Sequence, residues 1–291
     1  MTVKAIFPTK ISLGNLYFAE ERFPHQRNWL GEAAGEFSME IPPGKMLGLA
    51  LSGQVEEEML EELAGPMSIL SSLDLSTVRY SAKFISTISQ LERIKELRLD
   101  FTPFEDNHVQ YLKSLPELST LWLLFTAISN KGIKNLSALP SLTHLVLKNT
   151  EITDAGLSHL REFKSLKTLL LPGQITDKGF EELIPLEDLF HLDASNSKIS
   201  DNGLQSLKRL KNLQALYLSD TNLTDSCLDS FAELTNLSTL FLSGTKISNK
   251  GIPALSTLKS LSYIELRDTK ITEKAADKLR EALPQCEVVS Q

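Results

Sequence analysis

Leucine and other apolar residues recur along this chain at a fixed spacing, with polar residues at the positions between them. When the first apolar residue of each copy is aligned, successive copies start 24 residues apart, apart from one step of 23. The copies begin at Met46, Leu70, Ile94, Leu118, Leu142, Leu166, Leu189, Leu213, Leu237 and Leu261. A repeat of this length predicts a stack of similar units rather than one large core.

Each copy combines two hydrophobic periods, as the copy from Leu142 shows. Leu145 and Leu147 are two residues apart and so point to the same side of a short predicted strand, whereas Leu157 and Leu160 have the spacing of a helix. Parallel strands lie about 4.8 Å apart, but helix axes need about 8 to 10 Å. We therefore predict an α/β solenoid, shaped as a horseshoe, with a parallel sheet on its concave side and short helices on its convex side.

A hydroxyl and a carboxylate stand at the predicted helix start of several copies, and Ser129-Asn130 and Ser248-Asn249 keep the hydroxyl without the charge. In the copy from Leu142, Thr153 is placed to cap the helix and Asp154 to complement the helix dipole. The same pair recurs as Thr176-Asp177, Ser200-Asp201 and Thr224-Asp225. This position favours a structural role for the aspartates over a carboxylate ladder that binds a cation.

The two ends of the chain depart from the repeat. Residues 1–45 are predicted to form an N-terminal β cap, and residues 46–291 the solenoid with a C-terminal helix and strand. In the cap, alternation over Phe37–Ile41 and a turn at residues 42–45 predict a β-hairpin whose second strand is Met46–Leu51. Ile11–Phe18 is a further candidate strand. After Ala275 the last helix becomes longer and more charged, and Val288 falls in a final strand.

The phrases LTHLVLKNT, LQALYLSDT and LSTLFLSGT resemble the leucine-rich repeat family, and the resemblance covers residues 46–290. The phrase T-x-I-T-D-x-G-L is similar to bacterial repeats and to those of F-box receptors, here without an F-box. The family's usual ladder asparagine is replaced by hydroxyl residues. They are Thr102, Thr126, Thr150, Thr221, Thr245, Thr269 and Ser197. The copy from Leu166 has Pro172 and Gly173 instead. We interpret this deletion as a tolerated loop change, and the alternative is a shortened turn that opens a notch for a ligand beside Leu170.

Composition narrows the possible partners and the compartment. The net charge of −7 disfavours nucleic acid, and no apolar stretch has the length of a signal peptide or a membrane span. Cys227 and Cys286 lie in copies that are not neighbours, so a disulfide is not expected. We predict a cytoplasmic protein with neither nucleic acid nor membrane among its partners.

Side chains that point away from the predicted core carry the functional signal, because the scaffold does not need them. At the central strand position, three successive copies are apolar, and aromatic residues follow beyond Asp193. The residues that we predict to bind a partner are Trp122, Leu124, Phe125, Val146, Leu170, Tyr217, Phe241, Arg98 and Asp193, with Phe101 beside them. The charged residues expected around them are Asp74, Arg98, Asp100, Lys148, Glu265, Arg267 and Asp268.

We find no catalytic sequence motif in this chain. Phosphate-binding loops, metalloprotease helices and nucleophile elbows do not occur, and His144 and His191 lie about 10 Å apart by strand spacing, too far for one metal ion. No cofactor and no enzymatic activity are expected. Exposed aromatic patches mark interfaces, so the sequence predicts a non-catalytic module that binds a protein or peptide on its concave face. The alternative is a structural protein that forms a homodimer through the same patch.

Overall fold

A computed structural model describes residues 2–7, 14–20, 26–52, 65 and 67–290. These residues divide into two compact units, Met1–Leu145 and Val146–Gln291. Strand β9 (His144–Val146) lies at the boundary between the units. In both units, leucines of the repeat are fully buried. The alternate strand residues after β9 are partly or fully exposed in the second unit, whereas in the first unit several of them, such as Ser72 and Glu96, are buried as well. We call the side of the strands that faces away from the buried leucines the open strand face.

The first unit contains eight described strands before β9. They are β1 (Thr2–Phe7), β2 (Gly14–Glu20), β3 (Arg27–Glu32), β4 (Gly35–Glu40), β5 (Lys45–Leu51), β6 (Ser72–Asp74), β7 (Glu96–Arg98) and β8 (Thr120–Trp122). Strands β5 to β8 pair in parallel, in sequence order. Its α-helices are α1 (Ala82–Thr87), α2 (Val109–Leu112) and α3 (Asn130–Leu136), with 3₁₀ turns at Ile88–Gln90 and Asp106–His108.

The predicted hairpin between β4 and β5 is wrong. Strand β4 pairs with β1 in a separate two-stranded sheet, and it is β2 that runs antiparallel along β5 and covers the edge of the repeat strands. The fit of Tyr17 explains this pairing, since its ring lies over Gly48, where a Cβ would approach to 2.3 Å. The Tyr17 hydroxyl also hydrogen-bonds Ser72 at 2.6 Å. Of the candidate strand Ile11–Phe18, residues 11–13 lie outside the described part, and Gly14 to Phe18 belong to β2.

The second unit contains six strands that pair in parallel in sequence order. They are β10 (Thr168–Leu170), β11 (His191–Asp193), β12 (Ala215–Tyr217), β13 (Thr239–Phe241), β14 (Tyr263–Glu265) and β15 (Glu287–Val289). The α-helices are α4 (Asp154–Leu157), α5 (Asp177–Phe180), α6 (Ile252–Leu255) and α7 (Glu273–Ala282). Its 3₁₀ segments are Leu160–Glu162, Glu181–Leu183, Gly203–Arg209, Asp225–Phe231 and Asn249–Gly251. Val288 is buried in β15, as predicted. The domain boundary at residue 45 stays a prediction.

The aspartates at the helix starts bond to the following copy, which the dipole argument did not anticipate. The Asp154 carboxylate accepts hydrogen bonds from the backbone N–H of Thr176 at 2.9 Å and from its hydroxyl at 2.6 Å. The same pair of bonds recurs in both units. It joins Asp106 to Ser129, Asp177 to Ser200, Asp201 to Thr224 and Asp225 to Ser248.

The glycine of the repeat phrase makes room for this carboxylate. A Cβ on Gly179 would lie 2.4 Å from an Asp154 oxygen that is already held by Thr176. Gly132 and Gly203 stand in the same relation to the aspartate of the preceding copy. The aspartate of one copy therefore contacts the hydroxyl residue of the next copy in the space that the glycine leaves, which explains the regular spacing of the three residues in the sequence.

Hydroxyl residues at the ladder position act within their own copy. The Thr150 hydroxyl donates to the Leu147 carbonyl at 2.8 Å, and five other threonines make the equivalent bond. In the shortened copy, which lacks this hydroxyl, the Gln174 amide donates to the carbonyls of Thr150 at 2.7 Å and Ile152 at 2.5 Å. A side-chain amide thus replaces the missing turn residue.

Gly179→Ala is expected to destabilise the protein by about 1 to 3 kcal/mol, because the added methyl group overpacks the Asp154 carboxylate. Helix propensity alone predicts the opposite sign, a gain of about 1 kcal/mol. Chemical denaturation measures the change, with Gly65→Ala as the control, since a Cβ at that position meets no atom within 4 Å. The loss should be smaller when Asp154 is also replaced by alanine, and additive effects would contradict this interpretation.

Candidate functional site

The open strand face of the second unit carries a row of stacked aromatic rings. His191 on β11 stacks on Tyr217 of β12, with ring centroids 5.0 Å apart. Tyr217 stacks on Phe241 of β13 at 4.5 Å, and Phe241 contacts Tyr263 of β14 at 5.2 Å. All four side chains are partly exposed. We call these four residues the aromatic ladder. Because the rings face one another, they present mainly their edges to a ligand.

A carboxylate stands on either side of the two central rings. In the strand register, Asp193 lies opposite Tyr217, and Glu265 lies opposite Phe241. Lys148 donates to Asp193 at 2.9 Å and also to the Ser195 carbonyl, so Asp193 is paired with a cation. Glu265 accepts from the hydroxyls of Ser243 at 2.9 Å and Tyr263 at 3.2 Å, which are neutral donors. The two ends of the aromatic ladder therefore differ in charge.

In the first unit, Arg98 and Trp122 form the corresponding feature. The Arg98 guanidinium lies 3.9 Å from the Trp122 ring centroid, a cation–π contact, and donates to Glu96 at 3.0 Å. The Arg98 Nη2 and Trp122 Nε1 atoms are buried, and neither has a hydrogen-bond partner among the described residues. Trp122 is therefore held against the sheet by Arg98 rather than fully exposed.

Phe101 and Phe125 are the most exposed apolar side chains beside the repeat strands, at 53% and 51%. Their rings stack on each other with centroids 4.7 Å apart. Both residues have a left-handed backbone, with φ of 58° and 54°, a conformation that bulky residues rarely adopt. The equivalent positions of other copies hold Thr77, which is β-branched, and residues that tolerate the conformation, namely Asn149, Asn196, Asp220, Gly244 and Asp268.

The left-handed corner cannot be relaxed without breaking the sheet. The Phe101 N–H donates to the Leu124 carbonyl of the next copy at 2.8 Å. Asp220 makes the equivalent bond to Ser243. Phe101 and Phe125 thus carry local strain although their side chains contribute little to the core, since both are about half exposed. Strain of this kind clusters at functional sites.

Arg27 of the cap joins the face of the first unit, although no sequence pattern pointed to it. It lies 4.2 Å from the Tyr17 ring centroid and forms an ion pair with Asp74. Burial alone would raise the pKa of Asp74, but hydrogen bonds from Ser76 and the charge of Arg27 together lower it. Asp74 is therefore a buried structural group rather than part of a charged rim.

Asp100 shows the opposite behaviour. Burial raises its pKa, and the nearby charge of Asp74 adds to the effect, while the hydrogen bond from the Leu124 N–H and the charge of Arg98 oppose it. The native protein therefore holds a proton on Asp100 more readily than the unfolded chain does. At neutral pH the ionised form of Asp100 therefore lowers the stability of the native protein.

The remaining residues that were predicted to bind a partner differ in their exposure. Val146 is only 3% exposed, whereas Leu124 and Leu170 are partly exposed. The predicted strip through Trp122, Val146 and Leu170 spans both units, and its continuity stays a prediction. In the part of the chain that the structure describes, no group of three or more histidine, cysteine or acidic residues is placed to bind a metal ion. The described helices include none long and apolar enough to cross a membrane.

Comparison with known proteins identifies the repeat. Residues 212–234 match the family model described as Leucine Rich Repeat. The fold is that of a leucine-rich-repeat protein. It is similar to an internalin (inlF) of Listeria monocytogenes, with a TM-score of 0.63 and 21% identity over 83% of this chain. It is also similar to internalin C2 of the same organism, with a TM-score of 0.53 and 24% identity over 73% of this chain and 84% of that one.

These comparisons confirm the predicted leucine-rich-repeat resemblance and the α/β solenoid fold. The chain spans 66% of the length of the inlF internalin, slightly less than two thirds. No curated protein sequence matches it significantly. At these identities the similarity concerns the fold, and the function has to be argued from the open strand face.

Replacing Phe101 and Phe125 together by asparagine is expected to stabilise the protein by about 1 kcal/mol, because the relief of left-handed strain at two positions exceeds the lost ring stacking. Differential scanning calorimetry tests this. Asn149→Phe places the same side chain at a corner where asparagine stands and should destabilise by a similar amount. A fall in stability of the double variant would show that the two rings serve the fold.

Asp100→Asn is expected to raise the melting temperature at pH 7, since asparagine can keep an acceptor for the Leu124 N–H without a buried charge. The sign with pH follows from the raised pKa. The contribution of Asp100 to stability is complete below its unfolded pKa, near 4, and is lost as the pH rises through its folded pKa. The advantage of the variant should therefore shrink in acid, and melting curves at several pH values measure it.

Proposed function

We propose that this protein is a non-catalytic interaction module that binds a protein or peptide on the open strand face of its repeats. The aromatic ladder is the observation that carries the proposal. Its rings are only partly buried, and they stack along four neighbouring strands without contributing to the leucine core. Aromatic side chains in such surfaces dominate binding energies.

The strained corner of the first unit supports the same function. Phe101 and Phe125 expose apolar rings at positions where other copies use small polar residues. Trp122 is the last residue of strand β8, and Leu124 follows it by two residues and precedes Phe125. Each unit therefore offers its own apolar contact surface. Binding in the cytoplasm is the expected setting, because Cys227 and Cys286 are free thiols.

Replacement of Tyr217 and Phe241 by alanine is expected to reduce partner recovery at least tenfold in a pull-down from the source organism, since hot-spot rings contribute about 2 kcal/mol or more. Tyr111→Ala is the control, because Tyr111 is a partly exposed tyrosine of helix α2. Circular dichroism must show that all variants are folded. Equal recovery by wild type and the double variant would refute the proposal.

Self-association through the same face is the alternative. Light scattering after size exclusion distinguishes the two, because a homodimer that dissociates in the Tyr217 and Phe241 double variant would favour it. A wild-type protein that is monomeric at micromolar concentration would leave a different partner as the ligand of the aromatic ladder.

A further inference from the structure

The aromatic ladder of the second unit has a polarity that indicates the chemistry of its partner. At one end, Asp193 is neutralised by Lys148 at 2.9 Å. At the other end, Glu265 is held by the hydroxyls of Ser243 and Tyr263. These hydroxyls orient the carboxylate without cancelling its charge. The Glu265 end is therefore the one suited to receive a cation.

Other charges on this face reinforce the asymmetry. Along the strands and corners of the second unit, carboxylates outnumber cations. The carboxylates are Asp193, Asp220, Glu265, Asp268 and Glu287, against Lys148 and Arg267. The whole chain has a net charge of −7. A basic partner is attracted to such a face, whereas an acidic one is repelled.

The geometry of the rings limits where a cation of the partner can bind. Because the rings of Tyr217 and Phe241 stack on each other with an angle of 15° between their planes, a cation has no access to the space between their faces. What remains open is an apolar ridge of ring edges beside the Glu265 carboxylate. An aliphatic side chain fits on the ridge, and a guanidinium fits at its end, where it can form paired hydrogen bonds with the carboxylate.

Strand spacing sets the distance between these two contacts. Glu265 lies about 4.8 Å from the strand of Phe241 and about 9.6 Å from that of Tyr217. In an extended peptide, residues i and i+2 point to the same side and lie about 6.6 Å apart. If the first side chain meets Glu265, the second reaches the ridge between Phe241 and Tyr217.

We propose that the aromatic ladder binds an extended peptide segment of a partner protein in which an arginine and an aliphatic residue are separated by one residue. The arginine pairs with Glu265, and the aliphatic side chain packs across the edges of Tyr217 and Phe241. This inference rests on the proposed function and adds the identity of the recognised side chains.

An array of immobilised nine-residue peptides tests the motif with the full-length protein as the labelled probe. Each peptide carries one leucine and one arginine, with one to four residues between them, in a glycine-serine background. In matched copies, glutamine or glutamate replaces the arginine. The peptide with one intervening residue should bind on the order of tenfold more tightly than its glutamate copy, and its binding should weaken with salt.

Two variants separate this inference from the proposed function. Glu265→Gln should abolish the preference for arginine over glutamine, whereas Glu187→Gln, the same change at an exposed turn that precedes β11, should retain it. Binding that requires Tyr217 and Phe241 but ignores peptide charge would overturn the inference and leave the proposed function intact. Peptide binding that is independent of both rings would overturn both.

Discussion

The structure depends on a carboxylate that five of the described copies extend to the copy that follows. An aspartate at a helix start holds both the backbone N–H and the hydroxyl of the cap residue in the following copy, as Asp177 does with Ser200. This contact fixes where the next helix begins. Glycine three residues after the cap hydroxyl leaves room for the carboxylate, as Gly203 does for Asp177. Cys227 occupies the same position beside Asp201, so glycine is favoured there without being required. Leucine burial supplies most of the hydrophobic stabilisation, but leucine is not directional. The aspartate adds a directional contact between neighbouring copies.

A fixed register leaves a surface that is free to vary. Along β11 to β14, neighbouring residues of the open strand face are brought together by strand pairing, whatever their chemistry. His191, Tyr217, Phe241 and Tyr263 become a row because the scaffold aligns them, although they are far apart in the chain. In such a protein, binding specificity changes by substitution of exposed residues while the repeat scaffold stays the same.

The repeat itself could be predicted from the sequence, because its phrase alternates between two periods with different physical meanings. The partner of β5 could not, since the choice of β2 over β4 depends on the fit of the Tyr17 ring over Gly48. The burial of Asp74 was missed for a similar reason, because its cation comes from the cap at Arg27. For the strained corner a signal was present. Phenylalanine at 101 and 125 stands where other copies with this corner have threonine, asparagine, aspartate or glycine.

The corner residues have a consequence for how binding surfaces of this kind can change over time. The side chains of Asn196 and Asp220 project from a backbone whose shape is set by the bond from their own N–H to the next copy. A substitution at either corner changes the exposed side chain without moving a strand. Asn196 and Asp220 are thus positions where new specificity can arise in a single mutational step, and the strain of a bulky residue limits how many such substitutions the fold can accommodate.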